Sequence, residues 1–574
     1  MSRKARWFIA IGIFLIVFVA VGVAVVITAT AGPRIRSNSV LFLDIMGEIL
    51  EEGSDNPFEK LFEGEQNTFK DHLDCIEKAA GDERIRGIYM RVGGSDISWA
   101  KIQELRDALA SFKKSEKPLV AFMEVGGMSD YYLATGSDRI YMMPAGFLDL
   151  TGLLTETSFL KGTLAKLGIK AEFEHVAEYK TASDLLTRDS MSDAHREMMN
   201  SLMDSLFNRF IKDVSSARKI SEGEIKKIID RGLLTPQEAL NAKLVDELKY
   251  HDEIKDMLKE QFGAEYHKVI VDTYKKSDAF GKIRGKKKIA ILYATGSIVS
   301  GESSSSPYWG KMMGSDTIAG AFEKIRKDGS IKAVVMRVDS PGGSGIASDV
   351  IWRETQITRK QIPLVVSMSG VAGSGGYYIS MGADTIVVEP GTLTGSIGVI
   401  AGKFNMRGFY DWIGWNKELI KRGENADIFS SYVGFSEEQR KLLMDQIYAF
   451  YRQFIHKAAE GRGKSDEDID RIGKGRVWTG EQALELGLVD EIGGLNRAIE
   501  IAKEKAGIAP EEEVGIVIFP KKKGLWQMLI GGKKEDTLGY LMKTIFRIPD
   551  GTLKEIVLLN QYMEAAKDGI VLMM

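Results

Sequence analysis

Cysteine is nearly absent from this chain of 574 residues, because Cys75 is its single thiol. One cysteine excludes an intramolecular disulfide framework and a zinc site built from cysteines. Proline is scarce, with 12 residues, and no long low-complexity tract occurs, so we expect disorder only at chain ends and in linkers. An excess of charge is also lacking: the formal net charge of −3 gives no reason to expect nucleic-acid binding.

One uncharged apolar run stands out near the N-terminus, from Trp7 to Ala31. It is long enough for a helix to cross a hydrocarbon core of about 30 Å, and it exceeds the roughly 7–15 apolar residues of a signal-peptide core. Basic residues both precede and follow the run, with a modest bias toward a cytoplasmic N-terminus. We predict a single-pass transmembrane signal anchor in the cytoplasmic (inner) membrane, with the rest of the chain on its periplasmic or outer face. Cleavage after Ala31 is the alternative.

The rest of the sequence consists of two related halves. The segment Arg84–Val92 (RIRGIYMRV) matches Ser330–Val338 (SIKAVVMRV), and further pairs follow in the same order. DYYLATGSDRIYMMP matches GYYISMGADTIVVEP, which places Tyr377 246 positions after Tyr131, and LLTPQEALNAKLVDEL matches VWTGEQALELGLVDEI at nearly the same spacing. Several matched blocks at one spacing indicate an internal duplication.

Each half alternates strand-like and helix-like segments. Runs such as IKAVVMRV and IPLVVSMS are almost continuously apolar, which is typical of strands covered on both faces. Amphipathic segments such as SWAKIQELRDALASFKK lie between them, and this alternation predicts βαβ units with a mostly parallel sheet. The predicted fold class is therefore α/β, with two tandem repeats preceded by one transmembrane helix.

Composition and the limits of the matched blocks predict five segments. They are the anchor and its flanks at 1–38, a first α/β repeat at 39–271, a basic linker at 272–287, a second α/β repeat at 288–510 and a C-terminal extension at 511–574. We found no counterpart of the extension in the first repeat. We expect it to serve packing or oligomer contact, with membrane-surface contact as the alternative.

The two repeats differ where chemistry is expected. The second repeat has VDSPGGS (Val338–Ser344) directly after a strand, and GVAGSGGYY, which places Ser374 on a turn flanked by glycines. The first repeat has only VGGS at the former place, and alignment of the Tyr-Tyr pairs puts Met128 opposite Ser374. Since methionine has no hydroxyl group, the first repeat lacks this nucleophile.

The reverse difference occurs further along the chain. The first repeat has VAEYKTASD, which contains Lys180, and alignment of Ala182 with Ala426 puts Glu424 opposite that lysine. The repeat with the serine therefore lacks the lysine, and the repeat with the lysine lacks the serine. One composite site between the repeats would explain both losses.

Histidine gives no competing pattern. Only one of the six histidines, His456, belongs to the repeat with the serine, and it lies on a helical run where we expect a solvated or packed side chain. A Ser-His-Asp triad is therefore not favoured, although it stays open because the members of a triad are matched by geometry and not by sequence position.

A serine–lysine pair has clear physical requirements. Serine is a weak nucleophile that needs an adjacent base, and lysine can act as that base only when burial lowers its pKa from about 10.4. Attack of Ser374 on a carbonyl also creates an oxyanion, which needs backbone N–H donors. Gly342, Gly343 and Gly375 are placed to supply them, with Lys180 as general base. We expect no metal and no cofactor.

These motifs resemble the long, tandem-repeat form of signal peptide peptidase A. The resemblance rests on VDSPGGS, AGSGGYY, TLTGSIGV, AEYKTASD, VWTGEQALELGLVD and the N-terminal run, and it extends to about residue 510. It implies a ClpP/crotonase-like fold, a Ser–Lys serine endopeptidase and a membrane-attached homotetramer. It also implies that the substrates are signal peptides left in the membrane after secretion.

The same resemblance assigns individual residues. It implies that Ser374 is the nucleophile, that Lys180 is the general base, and that Ser396 in TLTGSIGV hydrogen-bonds the lysine and orients it. It also implies an oxyanion donor among Gly342 and Gly343. Two alternatives stay open from the sequence: a crotonase-type acyl-CoA enzyme on the same fold, and a non-catalytic membrane scaffold.

Overall fold

The computed structural model describes residues 32–53, 66–278, 287–306, 310–521 and 572–573. The predicted anchor, Trp7–Ala31, lies outside these residues and stays a prediction. Among the residues that are described, we find no helix with the length and apolar character needed to cross a membrane.

The first repeat contains eight described strands and ten described helices. The strands are β1 (Ser39–Gly47), β2 (Ile85–Ser95), β3 (Leu119–Gly126), β4 (Arg139–Leu150), β5 (Lys170–Val176), β6 (Gly232–Leu234), β7 (Glu247–Leu248) and β8 (His267–Ile270). The helices are α1 (Phe69–Gly81), α2 (Trp99–Lys113), α3 (Met128–Ala134), α4 (Lys161–Lys166), α5 (Asp184–Thr187), α6 (Asp193–Arg218), α7 (Glu222–Arg231), α8 (Pro236–Asn241), α9 (His251–Phe262) and α10 (Val271–Lys275).

The remaining described elements follow residue 287. The strands are β9 (Lys288–Thr295), β10 (Ser297–Val299), β11 (Ser304–Ser306), β12 (Gly310–Gly314), β13 (Ile331–Ser340), β14 (Gly343–Ser344), β15 (Leu364–Gly373), β16 (Thr385–Val388), β17 (Leu393–Gly395), β18 (Val399–Asn405), β19 (Val477–Thr479), β20 (Glu491–Ile492), β21 (Gly515–Phe519) and β22 (Leu572–Met573). The helices are α11 (Ser315–Lys327), α12 (Gly345–Arg359), α13 (Gly375–Ser380), α14 (Arg407–Trp412), α15 (Glu437–Arg462), α16 (Asp466–Ile472), α17 (Gly480–Glu485) and α18 (Leu495–Lys505).

Each repeat builds a sheet of the same design, which confirms the α/β prediction. The first sheet has the order β6-β4-β3-β2-β1-β8, and the second has the order β19-β17-β15-β13-β9-β21. The central pairs β1–β2 and β2–β3 are parallel, as are their counterparts β9–β13 and β13–β15. Nearly every residue of β13 is buried, as expected for a strand covered on both faces.

Equivalent helix starts show how local sequence fixes these elements. Thr235 and Thr479 stand before α8 and α17, and the side chain of each accepts the backbone N–H of the third residue along. The side chain of that third residue, Glu238 or Gln482, reaches back to the threonine N–H, so both helices begin with a capping box.

The second sheet extends beyond the boundary that we expected at residue 510. Strand β21 pairs in parallel with β9, just as β8 pairs with β1 in the first repeat. The structure thus places the last strand of this sheet at Gly515–Phe519 and gives it a counterpart that the sequence comparison missed. The two strands are short, at four and five residues, which leaves little sequence to match. The remaining part of the extension, 522–571, and residues 279–286 of the expected linker lie outside the described residues.

A third sheet joins the two repeats. Strand β5 of the first repeat pairs antiparallel with β18 of the second over seven residue pairs, and both belong to a sheet with the order β11-β12-β10-β14-β22-β18-β5. The loop after β5 and the segment before β18 are therefore held side by side, and these two segments carry Lys180 and Ser396.

A buried ion cluster also fixes the repeats to each other. Arg337 on β13 is fully enclosed and donates to Glu51 and Glu104 of the first repeat at 2.9 and 2.8 Å. It also donates to Ser367 and Ser369 on β15 at 2.8 and 3.1 Å. Because removal of one partner from such a cluster leaves an uncompensated buried charge, the cluster resists relative movement of the repeats.

Candidate active site

Ser374 lies on a sharp turn between β15 and α13 of the second repeat. Its backbone has φ 52° and ψ −111°, a sparsely populated conformation for a residue with a side chain. The Ser374 N–H donates to the Gly395 carbonyl at 2.8 Å, which holds this strained turn in place. A strand-to-helix elbow of this kind projects a hydroxyl group toward the edge of a sheet.

Lys180 reaches the same place from the first repeat. Its Nζ lies 2.8 Å from Ser374 Oγ, and both side chains are buried. Burial lowers the pKa of the Lys180 ammonium group well below its ordinary value, because desolvation disfavours the charged form. The structure thus brings together the two groups that the sequence comparison singled out from different repeats.

Ser396 completes the surroundings of the lysine. Lys180 Nζ donates to Ser396 Oγ at 2.9 Å and to the Ser396 carbonyl at 3.1 Å. Ser396 also has a positive φ of 52°, and its N–H donates to the Arg476 carbonyl at 2.7 Å. Both serines around the lysine are therefore held in unusual backbone conformations by bonds to β17 and to the residue just before β19.

In the uncharged state that burial favours, the amine of Lys180 can use all three contacts. A neutral lysine has two N–H donors and one lone pair, whereas an ammonium group has three donors and no acceptor. The Ser396 carbonyl can only accept, so it takes one N–H, and Ser396 Oγ takes the second. The lone pair of Lys180 is then left for the hydroxyl hydrogen of Ser374, which is the arrangement that a general base requires.

The glycine loop before α12 approaches the same turn. A methyl group on Gly375 would stand 3.1 Å from the Gly342 Cα, so the loop packs directly on the residue after Ser374. The Gly342 N–H donates to Ser340 Oγ at 3.2 Å, which engages it within the loop. Of the three glycines expected to be oxyanion donors, Gly342 thus has an N–H that is already bonded.

Gly343 has its N–H on the open side of its strand. It pairs with Ile298 of β10, which donates its own N–H to the Gly342 carbonyl at 2.8 Å. In such a parallel pair Ile298 bonds to the peptide groups on either side of Gly343, so the Gly343 N–H points away from β10. With φ +146°, and with the Ile298 carbonyl 2.2 Å from where a Cβ would stand, this position requires glycine.

Two glycines that the sequence analysis missed hold the lysine in position. A Cβ on Gly475, which has φ +76°, would stand 2.4 Å from the Lys180 backbone nitrogen. A Cβ on Gly398 would stand 3.0 Å from Lys180 Cδ. Lys474, next to Gly475, accepts the Tyr179 N–H at its carbonyl at 2.9 Å. Their positions just before VWTG and within TLTGSIG were the signals that could have found them.

The first repeat preserves the frame of this site without its chemistry. Tyr131 and Tyr377 make equivalent hydrogen bonds of 2.9 Å to the carbonyls of Leu244 and Leu488, which supports the alignment of the repeats. In that alignment, Met128 at the start of α3 takes the place of Ser374. Glu424, the residue aligned with Lys180, is exposed.

The described part of the chain gives no support for a histidine as the base of Ser374 or for a metal site. His456 is exposed on α15 and contacts Asp466, and Ser374 Oγ has Lys180 rather than a histidine as its hydrogen-bond partner. The residues that the structure describes also contain no group of three or more His, Cys, Asp and Glu side chains that could hold a metal ion.

Comparison with known proteins identifies the family. A profile described as peptidase family S49 matches residues 111–265 and 356–509, one block in each repeat. The Arabidopsis thaliana protein "Serine protease SPPA, chloroplastic" is 33% identical over 547 residues, which cover 94% of this chain and 79% of that protein. "Protease 4" of Salmonella typhi is 33% identical, covering 86% of this chain and 82% of that protein. "Protease 4" of Haemophilus influenzae is 29% identical, covering 75% and 72%. The chain therefore belongs to peptidase family S49 and is a serine peptidase.

Proposed function

We propose that this serine peptidase is a membrane-bound endopeptidase that uses a Ser–Lys dyad, with Ser374 as nucleophile and Lys180 as general base. The observation that carries the proposal is the 2.8 Å contact between Ser374 Oγ and Lys180 Nζ in a buried site. Since each group comes from a different repeat, the contact also accounts for the loss of one group from each repeat.

The proposed reaction proceeds by acyl transfer. Ser374 Oγ bonds to the carbonyl carbon of a peptide while its proton passes to the lone pair of Lys180. The carbon–nitrogen bond then breaks, and Lys180 returns the proton to the leaving amine. In the second half, a water molecule loses a proton to Lys180 and attacks the ester, which releases the acid product and restores Ser374.

Backbone amides stabilise the oxyanion in this proposal. Gly343 and Gly375 supply the N–H donors, and Gly342 shapes the loop, because its own N–H is engaged by Ser340. Ser396 positions the lysine through its hydroxyl and carbonyl oxygens.

We further propose that the substrates are residual signal peptides after their release from secreted proteins. Support comes from the motif resemblance and from the uncharged run Trp7–Ala31, which would hold the enzyme beside apolar peptides in the cytoplasmic membrane. The catalytic repeats then lie on the periplasmic or outer face. A ClpP/crotonase-like fold and a homotetramer belong to the same proposal.

No contact favours the two alternatives. A crotonase-type acyl-CoA enzyme and a non-catalytic scaffold both leave the buried contact between Ser374 and Lys180 without a role. Turnover of CoA thioesters in place of peptides would support the former, and failure of a fluorophosphonate to label Ser374 would support the latter.

The first test removes either member of the dyad. We expect Ser374→Ala and Lys180→Ala each to lower kcat/KM for an unstructured peptide by at least about 10³-fold, since members of a catalytic unit fail together. Fluorophosphonate labelling, followed by mass spectrometry, should be present in the wild type and absent from Ser374→Ala.

The inactive counterparts provide matched controls. Met128→Ala and Glu424→Ala change the aligned positions of the other repeat, and we expect both variants to keep wild-type kcat/KM. Peptide cleavage retained by purified Ser374→Ala or Lys180→Ala would falsify the assignment of the dyad.

A further inference from the structure

The strand that leads to Ser374 changes its register with β13 just before the nucleophile turn. Between two paired positions, β13 advances by two residues (Val338 to Ser340) while β15 advances by four (Met368 to Ala372). The residues Ser369–Val371 of β15 therefore bulge out of the regular pairing, and we name them the β15 bulge. Because a bulge disrupts the hydrogen-bond ladder and bends its strand, other groups must hold its backbone.

The β15 bulge distinguishes the second repeat from the first. The aligned strands β2 and β3 keep one register wherever they pair. The second repeat is also longer here, because Pro363 precedes Tyr377 by 14 positions and Pro118 precedes Tyr131 by 13. Bulges beside active sites commonly re-aim a side chain. The repeat with the nucleophile is thus the one whose strand is bent before it.

Asp339 stands opposite the β15 bulge and holds it. Its Oδ1 accepts the Val371 N–H at 3.1 Å, three residues before Ser374. Its carbonyl accepts the Gly296 N–H at 2.9 Å, which fixes Asp339 to the end of β9. The chain then enters the loop that contains Gly343. Asp339 therefore connects the loop with the proposed oxyanion donor to the strand that delivers the nucleophile.

A cation from the first repeat lies beside this carboxylate. Lys101 Nζ, in the first turn of α2, is 3.5 Å from Asp339 Oδ2 and 3.5 Å from Glu51 Oε1. The Lys101 and Asp339 side chains are only 12% and 26% exposed. Burial raises the pKa of the Asp339 carboxyl group, and the Lys101 ammonium group opposes that rise. Lys101 thus favours the ionised carboxylate, which accepts an N–H more strongly than the neutral acid.

This pair shows the same complementary differences between the repeats as Ser374 and Lys180. In the alignment of α2 with α12, Ala347 stands in the place of Lys101. The first repeat also lacks the Asp-Ser-Pro that precedes the two glycines, so it has no counterpart of Asp339. Each member is therefore present only in the repeat from which it reaches the other.

The rest of the β15 bulge is held by side chains as well. Ser369 Oγ donates to Glu51 and accepts from Arg337 at 3.1 Å, so the buried ion cluster fixes the first bulge residue. A Cβ on Gly370 would stand 2.8 Å from Ser98 Oγ of the first repeat, so α2 begins directly against the second bulge residue. Asp339 is the group that fixes the third, which is the nearest to the nucleophile.

We propose that Asp339 is a positioning residue, which fixes the β15 bulge and thereby the direction of Ser374, and that Lys101 supports it from the first repeat. The inference rests on the proposed role of Ser374 as nucleophile. Without Asp339, the Val371 N–H loses its acceptor and the strained turn at Ser374 loses a restraint. A small displacement of a nucleophile from its base lowers the rate of the chemical step more than it weakens binding.

The first experiment changes Asp339 and measures kcat and KM separately. We expect Asp339→Ala to lower kcat for an unstructured peptide by about 10–10²-fold, with KM within about twofold of wild type. Asp339→Asn keeps an oxygen that can accept the Val371 N–H, so it should recover most of the lost kcat. Complete labelling with a fluorophosphonate counts the active sites, so that kcat refers to folded enzyme only.

A double-mutant cycle tests the part of Lys101. We expect Lys101→Met to lower kcat by about three- to tenfold in the wild-type chain and to have no further effect in Asp339→Ala. Equal effects of Lys101→Met in both chains would show that Lys101 does not act through Asp339.

Asp384 provides a matched control at the other end of β15. Its Oδ2 accepts the Leu364 N–H at 2.9 Å, it pairs with Arg359 at 3.2 Å, and its side chain is 23% exposed. Asp384→Ala should lower Tm and keep the wild-type kcat per labelled site. A loss of kcat as large as that of Asp339→Ala would show a general loosening of β15 and overturn the positioning role.

Amide hydrogen exchange tests the geometry without catalysis. We expect a peptic fragment that contains Val371 to exchange at least about tenfold faster in Asp339→Ala than in wild type, and at the wild-type rate in Asp339→Asn. Either a wild-type kcat or an unchanged exchange rate in Asp339→Ala overturns the positioning role, while cleavage by the wild type still supports the Ser–Lys assignment. If the wild type neither cleaves peptides nor is labelled at Ser374, the Ser–Lys assignment falls, and the exchange rate still decides whether Asp339 holds the β15 bulge.

Discussion

Lys180 and Arg337 are both buried basic side chains, and their surroundings shift their pKa values in opposite directions, down for Lys180 and up for Arg337. Arg337 contacts two carboxylates, Glu51 and Glu104, which compensate for its loss of water. Among the described residues, the hydrogen-bond partners of Lys180 Nζ are serine oxygens, and desolvation lowers the pKa of Lys180 well below the ordinary value. Burial among neutral hydrogen-bond partners favours the uncharged form of Lys180, which is the state that a general base needs.

The pH dependence of activity should report this lowered pKa. We expect kcat/KM to rise with pH as Lys180 loses its proton and to level off well below pH 10.4, the ordinary lysine value. The measurement is a pH series of initial rates at low peptide concentration. A rate that keeps rising to pH 10 would show either that the pKa of Lys180 is not lowered or that Lys180 is not the general base.

The same pKa shift has a consequence for stability. In the unfolded chain Lys180 is protonated below about pH 10.4. In the folded chain it becomes protonated only when the pH falls below its lowered pKa. Stability therefore rises with pH between these two values, by up to about 1.4 kcal/mol per pH unit from this group. Lys180→Met removes the contribution, so wild type minus variant Tm should increase from pH 8 to pH 10.

Thermal unfolding of both proteins at three pH values tests this expectation, and other titrating groups cancel in the difference. A Tm difference that stays constant or shrinks with rising pH would contradict a neutral, buried Lys180.

The sequence predicted these site residues because the duplication supplied a comparison within one chain. Ser374 stood opposite Met128, and Lys180 stood opposite Glu424, so each loss marked a functional position. Gly475 could not be found in this way, because its role is to leave space for the Lys180 backbone. Such a role depends on a contact between repeats that the sequence alone does not specify.

At the scale of elements, two neighbouring parallel strands deliver the reacting groups. Strand β13 leads to the glycine loop and β15 leads to Ser374, and the two strands pair over most of their length. The carboxyl ends of parallel strands meet at one edge of a sheet, which is why the loop and the nucleophile converge there. Arg337 on β13 bonds both Ser367 and Ser369 on β15, which ties the strands together below the site.

Gly343→Ala tests the glycine loop as an element. The new Cβ would stand 2.2 Å from the Ile298 carbonyl, so the loop must shift and the Gly343 N–H moves with it. Loss of one oxyanion donor predicts that kcat falls by about 10²–10³-fold, with a smaller change in KM.

The aligned glycine of the first repeat is the control for this variant. Gly94 also has a positive φ, of 61°, and a Cβ there would meet open space. We expect Gly94→Ala to keep wild-type kcat, so that backbone strain alone does not account for the loss. A kcat for Gly343→Ala within twofold of wild type would contradict a role of this loop in catalysis.

Elements that depend on local sequence were predicted better than those that depend on pairing at a distance. Buried strands such as β13 and β15 follow from continuous apolar runs, and the structure contains both. The pairing of β5 with β18, and of β22 with β14, leaves no local trace in the sequence, because an antiparallel edge can accept any extended partner.

At the scale of the whole molecule, the two repeats are covered unequally. The first repeat covers one surface of the second, where Arg337 is 0% exposed, whereas the aligned Arg91 of the first repeat is 39% exposed and pairs with Asp44. Thr295 is likewise buried and donates to Glu52, while the aligned Met46 is 50% exposed. The first repeat thus presents an open surface of the kind that is filled in the second.

The surface of the second repeat that would complement this open surface of the first repeat lies on α12. Helix α2 of the first repeat contacts the second through Glu104, which accepts from Arg337, and on this helix Ala100 and Glu104 are 1% and 4% exposed. The aligned residues of α12, Ile346 and Val350, are 56% and 41% exposed. One turn apart on the helix, they form an exposed apolar patch, and we propose that the open surface of the first repeat on another copy of the chain covers it.

In our proposal of a homo-oligomer, this proposed head-to-tail contact is repeated around a closed ring. Ile346→Asp with Val350→Asp places two charges in the contact, so we expect light scattering to give the monomer mass at concentrations where the wild type is oligomeric. The matched control is Ile518→Asp, because Ile518 and its counterpart Ile270 are both exposed, and this surface is uncovered in both repeats. A double variant with the wild-type mass would show that α12 does not contact another copy. A changed mass in Ile518→Asp would show that the unequal covering of the repeats does not locate the contact. A ring in which each second repeat contacts the first repeat of the next chain predicts one result: the double variant loses the oligomer and Ile518→Asp keeps it.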